Sequence, residues 1–163
     1  MAIGLARRFW PNLELPVAID RPSRKVLVAI GSANLRSHRQ ADRIIDAHDV
    51  IVVRCPAAHG GDPASFLRQI ADAAVERLHD VTYTALIATG GDTMKAILDR
   101  LSIQTFEILQ EFEPGFPLGR AQLDDGRSLL VAMKAGGFGD DDTLMRAVWQ
   151  LRQSASVTGE VSS

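Results

Sequence analysis

The sequence predicts an α/β fold: a three-layer, Rossmann-like domain with a mainly parallel sheet and a β-rich C-terminal part. Three strand-then-helix pairs occupy residues 25–101, and successive pairs of this kind form a parallel sheet that helices cover on both faces. After residue 102 the pattern changes to short strand segments followed by one last helix. The chain has 163 residues, of which 46% are hydrophobic, and this fits one domain with its own core.

The overall composition argues against several classes of partner. The formal net charge of -2 favours neither a nucleic acid nor an anionic membrane surface. No apolar run approaches the ~20 residues of a membrane span, and no signal peptide is visible behind Arg7 and Arg8. Cys55 is the one cysteine in the sequence, so no internal disulfide forms, and we expect an inert core thiol in a cytoplasmic protein.

The segments at the two ends of the chain are predicted to flank this domain. Residues 2–10 place apolar side chains around two arginines, which indicates a short helix. Residues 11–24 contain three prolines, which is typical of an irregular connector. We therefore divide the sequence into an N-terminal helix and connector (1–24), the domain itself (25–153) and a flexible tail (154–163).

The three strand-then-helix pairs justify the parallel part of the sheet. We expect parallel, adjacent strands at residues 25–30, 49–54 and 85–89, because each is a predominantly apolar run. The first helix is predicted to begin at Ser37, which has capping-box spacing to Gln40. The second and third helices are predicted at about residues 63–79 and from the glycine turn after residue 89 to near Leu101, from apolar residues at helical spacing.

The C-terminal part is predicted to be mostly strands. Residues 104–112 alternate loosely, and residues 118–123 and 128–133 are two strand-like runs joined by an Asp-Asp-Gly-Arg turn typical of a hairpin. Apolar residues at helical spacing then predict a last helix over 140–153.

The strand at 85–89 and the helix after it are joined by a glycine turn on which the functional prediction depends. Gly90 and Gly91 allow a sharp reversal and let a ligand approach bare backbone, and Asp92 is predicted to cap the helix. A helix start at the carboxyl end of a parallel strand presents free N–H groups and the positive end of the helix dipole to an anion such as phosphate. The turn alone fits either a phosphate site or a plain strand-to-helix connection.

Three glycine-containing turns follow predicted strands, at residues 31–34, 90–93 and 136–139. Ligands of open α/β sheets bind at the carboxyl ends of the strands, so three turns at that edge predict a phosphate or nucleotide site. Neither a Walker A loop nor a G-x-G-x-x-G motif occurs in the sequence. The turn at 90–93 is partly similar to the Gly-Gly-Asp-Gly turn of lipid, NAD and 6-phosphofructo kinases, with Thr93 in place of the later glycine.

Four segments, in order, resemble the four-carbon acid sugar kinase family. Gly31-Ser32 followed by Ser37 and Gln40 is similar to that family's Gly-Ser…Thr-x-x-Gln segment. Gly90-Gly91-Asp92-Thr93 resembles its Gly-Gly-[Asp/Glu]-Thr turn, and Pro-Gly-Phe-Pro at 114–117 resembles its Pro-Gly-x-Pro segment. Lys-Ala-Gly-Gly-Phe-Gly at 134–139 resembles its Lys-[Ser/Ala]-Gly-x-Phe-Gly stretch.

The resemblance implies a function as well as a fold. In that family an N-terminal domain holds the acid sugar and a C-terminal domain binds ATP, and this sequence matches the second alone. It therefore implies the ATP-binding domain of a kinase that phosphorylates threonate-like or erythronate-like acids, lacking its substrate domain. The implied partners are ATP or ADP with Mg²⁺, and a four-carbon sugar acid reached through a missing or separate substrate domain, with a homo-oligomer left open. The alternative is a stand-alone, non-catalytic nucleotide- or phosphosugar-binding module.

The resemblance also implies a set of nucleotide-binding residues, while the catalytic base stays unassigned. Asp92 caps its helix or also holds Mg²⁺, and Lys134 neutralises phosphate charge or ends its strand in solvent. Asp140, Asp141 and Asp142 fit a helix dipole better than a metal cluster, and the four histidines are expected on the surface or in loops. The full predicted set is Ser32, Gly90, Gly91, Asp92, Thr93, Lys134, Gly136, Gly137 and Gly139, with Asp92 as the metal ligand.

Overall fold

The computed structural model describes residues 24–54 and 61–153. In this part of the chain the strands are β1 (Lys25–Ile30), β2 (Val50–Arg54), β3 (Tyr83–Thr89), β4 (Glu107–Glu111), β5 (Pro117–Gln122) and β6 (Ser128–Lys134). The helices are α1 (Leu35–Asp42), α2 (Pro63–Leu78), α3 (Gly91–Arg100) and α4 (Thr143–Gln153).

All six of these strands form one mixed sheet in the order β2-β1-β3-β6-β5-β4. The neighbours β2, β1, β3 and β6 are parallel, whereas β5 is antiparallel to both β6 and β4. The prediction of parallel, adjacent strands near 25–30, 49–54 and 85–89 is therefore confirmed. The β-rich C-terminal part that the sequence predicts corresponds to β4, β5 and β6, and the predicted hairpin joins β5 to β6.

Helices pack on both faces of this sheet, because the parallel strands are apolar on both sides. On one face α2 and α3 cover a core that includes Leu27, Leu86 and Leu129. On the other face α1 and α4 cover a second core that includes Ile87 and Phe116. The predicted α/β fold class is confirmed, with one helical layer on each side of the sheet.

Several predicted helix boundaries are wrong by a few residues. Helix α1 begins at Leu35 and not at Ser37, because the Asn34 side chain accepts the N–H of Arg36 at 2.9 Å and caps the helix. Helix α4 begins at Thr143, so the acidic run at 140–142 precedes the helix and does not form its first turn.

Some predictions fall on residues that the structure does not describe. These are the helix at 2–10, the connector up to residue 23, the sites of Cys55 and His59, and the tail from residue 154. Among the described helices, none combines the length and the apolar character that crossing a bilayer requires.

Candidate functional site

The three glycine-containing turns lie side by side at one edge of the sheet. They follow β1, β3 and β6, which are neighbours and parallel, so their carboxyl ends share this edge. The turn after β3 is joined directly to the end of β6, since Gly90 donates its N–H to the carbonyl of Lys134 at 2.8 Å. The convergence of residues 31–34, 90–93 and 136–139 is what the sequence predicts.

Close packing holds the turn after β1 against the start of α3. A Cβ added to Gly31 would overlap the Thr93 hydroxyl and lie 2.8 Å from Thr93 Cβ. The Thr93 side chain is buried, so it packs on the bare backbone of Gly31 instead of facing open solvent. A glycine is required at position 31 because the two elements meet there without room for a side chain.

The first residues of α3 have free space beside them, whereas the turn after β1 is closely packed. Gly90 is the residue before the helix, and its φ of 93° is a conformation that favours glycine. A Cβ added to Gly91 would meet no atom within 4 Å. The prediction that Asp92 caps α3 is wrong, because Gly90 occupies the capping position without a side-chain hydrogen bond and Asp92 lies exposed in the first turn. Its carboxylate is nevertheless placed to interact favourably with the helix dipole.

The loop after β6 packs against the turn after β1. A Cβ on Gly136 would overlap the Ser32 hydroxyl and lie 2.9 Å from Ser32 Cβ, and one on Gly137 would lie 3.2 Å from Asn34 Nδ2. Ser32 Oγ accepts the N–H of Asn34 at 3.1 Å. Ser32 is half-buried beside the glycine loop, so the structure brings together two of the segments that the sequence predicts to share a site.

Lys134 lies fully buried beneath the loop that follows it, so the alternative in which it ends its strand in solvent is wrong. Its Nζ donates to the carbonyls of Ala135 at 2.8 Å and of Gly136 and Phe138 at 3.2 Å each. Burial, and to a lesser degree the charge of Arg36, lowers the pKa of Lys134 to about 8. The ammonium is thus a structural centre of the loop at neutral pH.

Helix α1 supplies three further donors to the same loop. Ser37 Oγ donates to the carbonyl of Gly136 at 2.5 Å. Gln40 Nε2 donates to the carbonyls of Phe138 at 3.1 Å and Asp140 at 2.5 Å. Arg36 donates to the carbonyl of Gly139 at 2.6 Å.

This role of α1 was not predicted from the sequence, although the sequence contains a signal for it. Ser37, Gln40, Ala41 and Ile44 fall at helical spacing, and polar residues in line with apolar ones on a buried face indicate a polar partner beneath that face. Two buried acceptors at this end of the sheet, Gln40 Oε1 and Thr89 Oγ1, have no hydrogen-bond partner in the described chain.

Aromatic packing connects the Pro-Gly-Phe-Pro segment at 114–117 to the same loop. The Phe116 ring is fully buried, and its centroid lies 6.5 Å from that of Phe138 in an edge-to-face arrangement. Arg146 of α4 binds Glu113 at 2.6 Å and Asp140 at 3.0 Å, which ties this segment to the end of the glycine loop.

The acidic run after the loop is engaged by arginines. Asp140 pairs with Arg146, and this hydrogen bonding is the main reason that the pKa of Asp140 lies below its usual range. Asp141 and Asp142 face arginines of α1 and the turn after it, at 3.4 Å for Asp141 from Arg39 and 2.7 Å for Asp142 from Arg43. Residues 24–54 and 61–153 contain no group of three or more histidine, cysteine or acidic side chains arranged for a metal.

One histidine departs from its prediction. His38 was expected on the surface or in a loop, but it is buried on α1, whereas His48 and His79 are exposed as expected.

Comparison with known proteins places residues 52–144, more than half of the chain, in the family model described as a nucleotide-binding C-terminal domain. D-threonate kinase of Bordetella bronchiseptica is 30% identical over 115 residues, which are 69% of this chain and 28% of the relative. 3-oxo-tetronate kinase of Methylobacterium radiotolerans is 37% identical over 95 residues, which are 56% of this chain and 22% of the relative. The chain thus spans about a quarter of the length of these curated relatives.

Solved structures with a similar fold include a domain of unknown function (DUF1537) from Bordetella bronchiseptica, crystallised as a domain-swapped dimer with bound citrate. It aligns with a TM-score of 0.71 and 25% identity over 81% of this chain and 40% of its own. A Haemophilus influenzae protein aligns with a TM-score of 0.57 and 18% identity over 88% of this chain and 44% of its own, a likeness of fold alone.

Proposed function

Because this chain belongs to the nucleotide-binding C-terminal domain family of the four-carbon acid sugar kinases, we propose that it binds ATP for phosphoryl transfer to a sugar acid. The observation that carries the proposal is the meeting of three turns at one sheet edge, beside the exposed amino end of α3. The acceptor is a four-carbon acid of the threonate or oxo-tetronate class, by analogy with the relatives.

The phosphates are held mainly by backbone. Gly90 and Gly91 allow close approach to the first N–H groups of α3, where the helix dipole favours negative charge. Glycines 136, 137 and 139 supply the opposite wall, and Ser32 and Thr93 form the join between the walls. Few cationic side chains are needed, because successive backbone N–H groups form an anion-binding concavity by themselves.

A magnesium ion fits this arrangement through the nucleotide. Mg²⁺ is usually held by one or two carboxylates together with substrate phosphates and water, and does not need a dedicated protein cage. The exposed Asp92 in the first turn of α3 is the carboxylate we assign to that role. When bound, Mg²⁺-ATP supplies the γ-phosphoryl group, and this chain orients its phosphates.

Acceptor binding is assigned to a substrate domain outside these 163 residues. Phosphoryl transfer depends on holding the acceptor hydroxyl in line with the γ-phosphate, and positioning of this kind contributes about 7–11 kcal/mol to lowering a barrier. The glycine turns described above suit the nucleotide, whose phosphates bind to backbone N–H groups. We therefore expect this chain alone to turn over threonate or erythronate far more slowly than a typical enzyme's ~10 s⁻¹.

Calorimetric titration with ADP and ATP tests the binding site. Gly91→Val should keep its fold, since no atom lies within 4 Å of an added Cβ, but its branched side chain would fill the space that phosphate needs. Lys95→Val is the matched control: it places the same side chain on α3, at an exposed position where the lysine pairs with Asp99. We expect at least a tenfold loss of affinity for Gly91→Val and none for the control. Equal affinity of wild type and Gly91→Val refutes the placement.

A coupled ADP-release assay with a panel of four-carbon sugar acids tests the kinase assignment. Turnover should require a substrate domain of a related kinase, supplied in trans. Typical enzymatic turnover by this chain alone would place the acceptor site within these residues. Nucleotide binding with no turnover under either condition would favour the non-catalytic binding module instead.

A further inference from the structure

The buried ammonium of Lys134 has no donor left for a phosphate. A protonated lysine has three N–H donors, and the three carbonyls of Ala135, Gly136 and Phe138 lie within hydrogen-bond distance of Nζ. Because the side chain is also fully buried, a ligand at the surface of the loop does not reach Nζ without the loop opening. A direct contact between Lys134 and phosphate would break this network.

The inward carbonyls determine where the N–H groups of the loop point. In a planar trans peptide the C=O of one residue and the N–H of the next point in opposite directions. The carbonyls of Ala135, Gly136 and Phe138 point inward to Lys134, so the N–H groups of Gly136, Gly137 and Gly139 point away from it. Within the described chain these three N–H groups donate no backbone hydrogen bond, and successive N–H groups of this kind suit an anion.

We propose that Lys134 is a positioning residue that acts on the nucleotide through this loop: its ammonium turns three carbonyls inward and so aims the N–H groups of Gly136, Gly137 and Gly139 at the phosphates. Ser37 and Gln40 of α1 assist by binding carbonyls of the same loop from the side. This inference rests on the proposed nucleotide site. In it, Lys134 orients the loop that binds the phosphates and does not contact the phosphates itself.

Protonation is what lets one side chain hold three carbonyls. A neutral amine has two donors and a lone pair, so one of the three acceptors would face a lone pair after deprotonation. The charged group acting on Lys134 is Arg36 of α1. The other α1 side chains that bind the loop, Ser37 and Gln40, are neutral, as is Thr89, its neighbour on β3, and the Asp140 carboxylate is paired with Arg146. Phosphate bound above the loop therefore favours the charged lysine, and binding takes up a proton where Lys134 is partly neutral.

The test compares ADP with adenosine on the full chain, by calorimetry, for wild type and three variants. Lys134→Met removes the ammonium at similar length, Lys134→Arg keeps a charge and donors, and Lys95→Met makes the same change at an exposed position of α3. We expect about a tenfold or greater loss of ADP affinity for Lys134→Met, with partial recovery in Lys134→Arg. Adenosine affinity should stay unchanged in both, and Lys95→Met should match wild type.

Proton uptake on ADP binding distinguishes the positioning role of Lys134 from a purely structural one. At pH 8.5 the phosphates of ADP are fully ionised, since their last pKa is about 6. ADP binding in buffers of different ionisation enthalpy should then show fractional proton uptake by wild type and none by Lys134→Arg. If Lys134→Met fails to fold, Ser37→Ala, which removes one inward hydrogen bond with little change of shape, should lower ADP affinity by about fivefold and leave adenosine binding unchanged.

The failures of the two proposals are distinguishable. No binding of ADP to the folded wild type would overturn the nucleotide site itself. ADP binding that is equal in wild type and Lys134→Met, or a loss in that variant that is equal for ADP and adenosine, would overturn the positioning role and leave the site standing.

Discussion

The turn after β3 and the loop after β6 both carry adjacent glycines and lie at the same sheet edge, yet they are supported differently. The turn is fixed by its own backbone, since Gly90 reverses the chain at a φ of 93° and α3 begins at once, and by the close packing of Thr93 on Gly31. The loop at 135–139 is fixed from beneath and from the side, by Lys134 and by donors of α1. Two similar glycine motifs are therefore held in place differently, one by close backbone packing and the other by buried side-chain donors.

Mutations should therefore destabilise the turn and the loop at different kinds of residue. In the turn, the sensitive residues are Gly90 and the packed pair of Gly31 and Thr93. In the loop, the sensitive residues are Lys134, Ser37 and Gln40, which donate hydrogen bonds to its carbonyls.

Gly31→Ala should destabilise the protein most. The added methyl group would overlap the buried Thr93 hydroxyl, and overpacking of this kind costs about 1–3 kcal/mol. Gly91→Ala, whose methyl group would meet no atom within 4 Å, is the matched control and should unfold at the wild-type denaturant concentration or slightly above it. Equal midpoints for the two variants in a urea titration would show that the turn does not depend on the close packing at Gly31.

Gln40→Met should destabilise the protein by about 1 kcal/mol, because the carbonyls of Phe138 and Asp140 lose a buried donor. The effect is moderated because Phe138 keeps its bond to Lys134 and because the variant also removes the unpartnered Gln40 Oε1. Gln69→Met, at an exposed position of α2, serves as the control in the same urea titration. A Gln40 variant as stable as the control would contradict the long-range support of the loop.

Raising the pH should stabilise wild type relative to Lys134→Met. The pKa of Lys134 is about 8 in the folded chain against 10.5 for an ordinary lysine, so from pH 8 to 10.5 the unfolded state binds more protons. Stability contributed by this group therefore rises through that window, by less than about 1 kcal/mol between pH 8 and 9. Urea titrations of both proteins at pH 7, 8 and 9 measure the difference, and a constant gap would show that the pKa of Lys134 is not lowered by folding.

The same change of pH should have opposite effects on the stability of the protein and on its affinity for ADP. Above pH 8 the contribution of Lys134 to stability should rise, because neutralisation removes a buried charge. ADP affinity should fall at the same time, because the neutral amine no longer holds one of the three loop carbonyls. A loop that only follows global stability would bind ADP more tightly under those conditions.

Lys95→Met should change the free energy of unfolding by less than about 0.5 kcal/mol. Its partner Asp99 lies 2.6 Å away on α3, but both side chains are largely exposed. A larger loss in the same titration would mean that this exposed pair stabilises the protein as much as the buried donors that bind the loop after β6.

The comparison also explains how much the sequence could predict. The fold class, the order of strands and helices and the meeting of the glycine turns follow from apolar periodicity and from the rule that parallel strands end at one edge. The cap of α3 was misassigned to Asp92 because Gly90 and Asp92 are both acceptable capping residues, and the choice depends on the backbone angle at Gly90.

The support of the loop could not be read from sequence spacing. Ser37 and Gln40 lie about 100 residues from the carbonyls they bind, so no local pattern joins them. Lys134 follows an apolar strand and precedes a glycine loop, which suits either solvent exposure or burial until the position of α1 is known. Polar residues on the buried face of α1 were the one available signal.

Titration of the ¹⁵N-labelled chain with ADP, followed through its backbone amide resonances, tests most directly whether the turn after β3 and the loop after β6 bind the same phosphates. The account predicts that the amides of Gly91 and Asp92 and those of Gly136, Gly137 and Gly139 shift together along one saturation curve. Shifts confined to one of the two connections, or centred elsewhere, such as on β4, would contradict it.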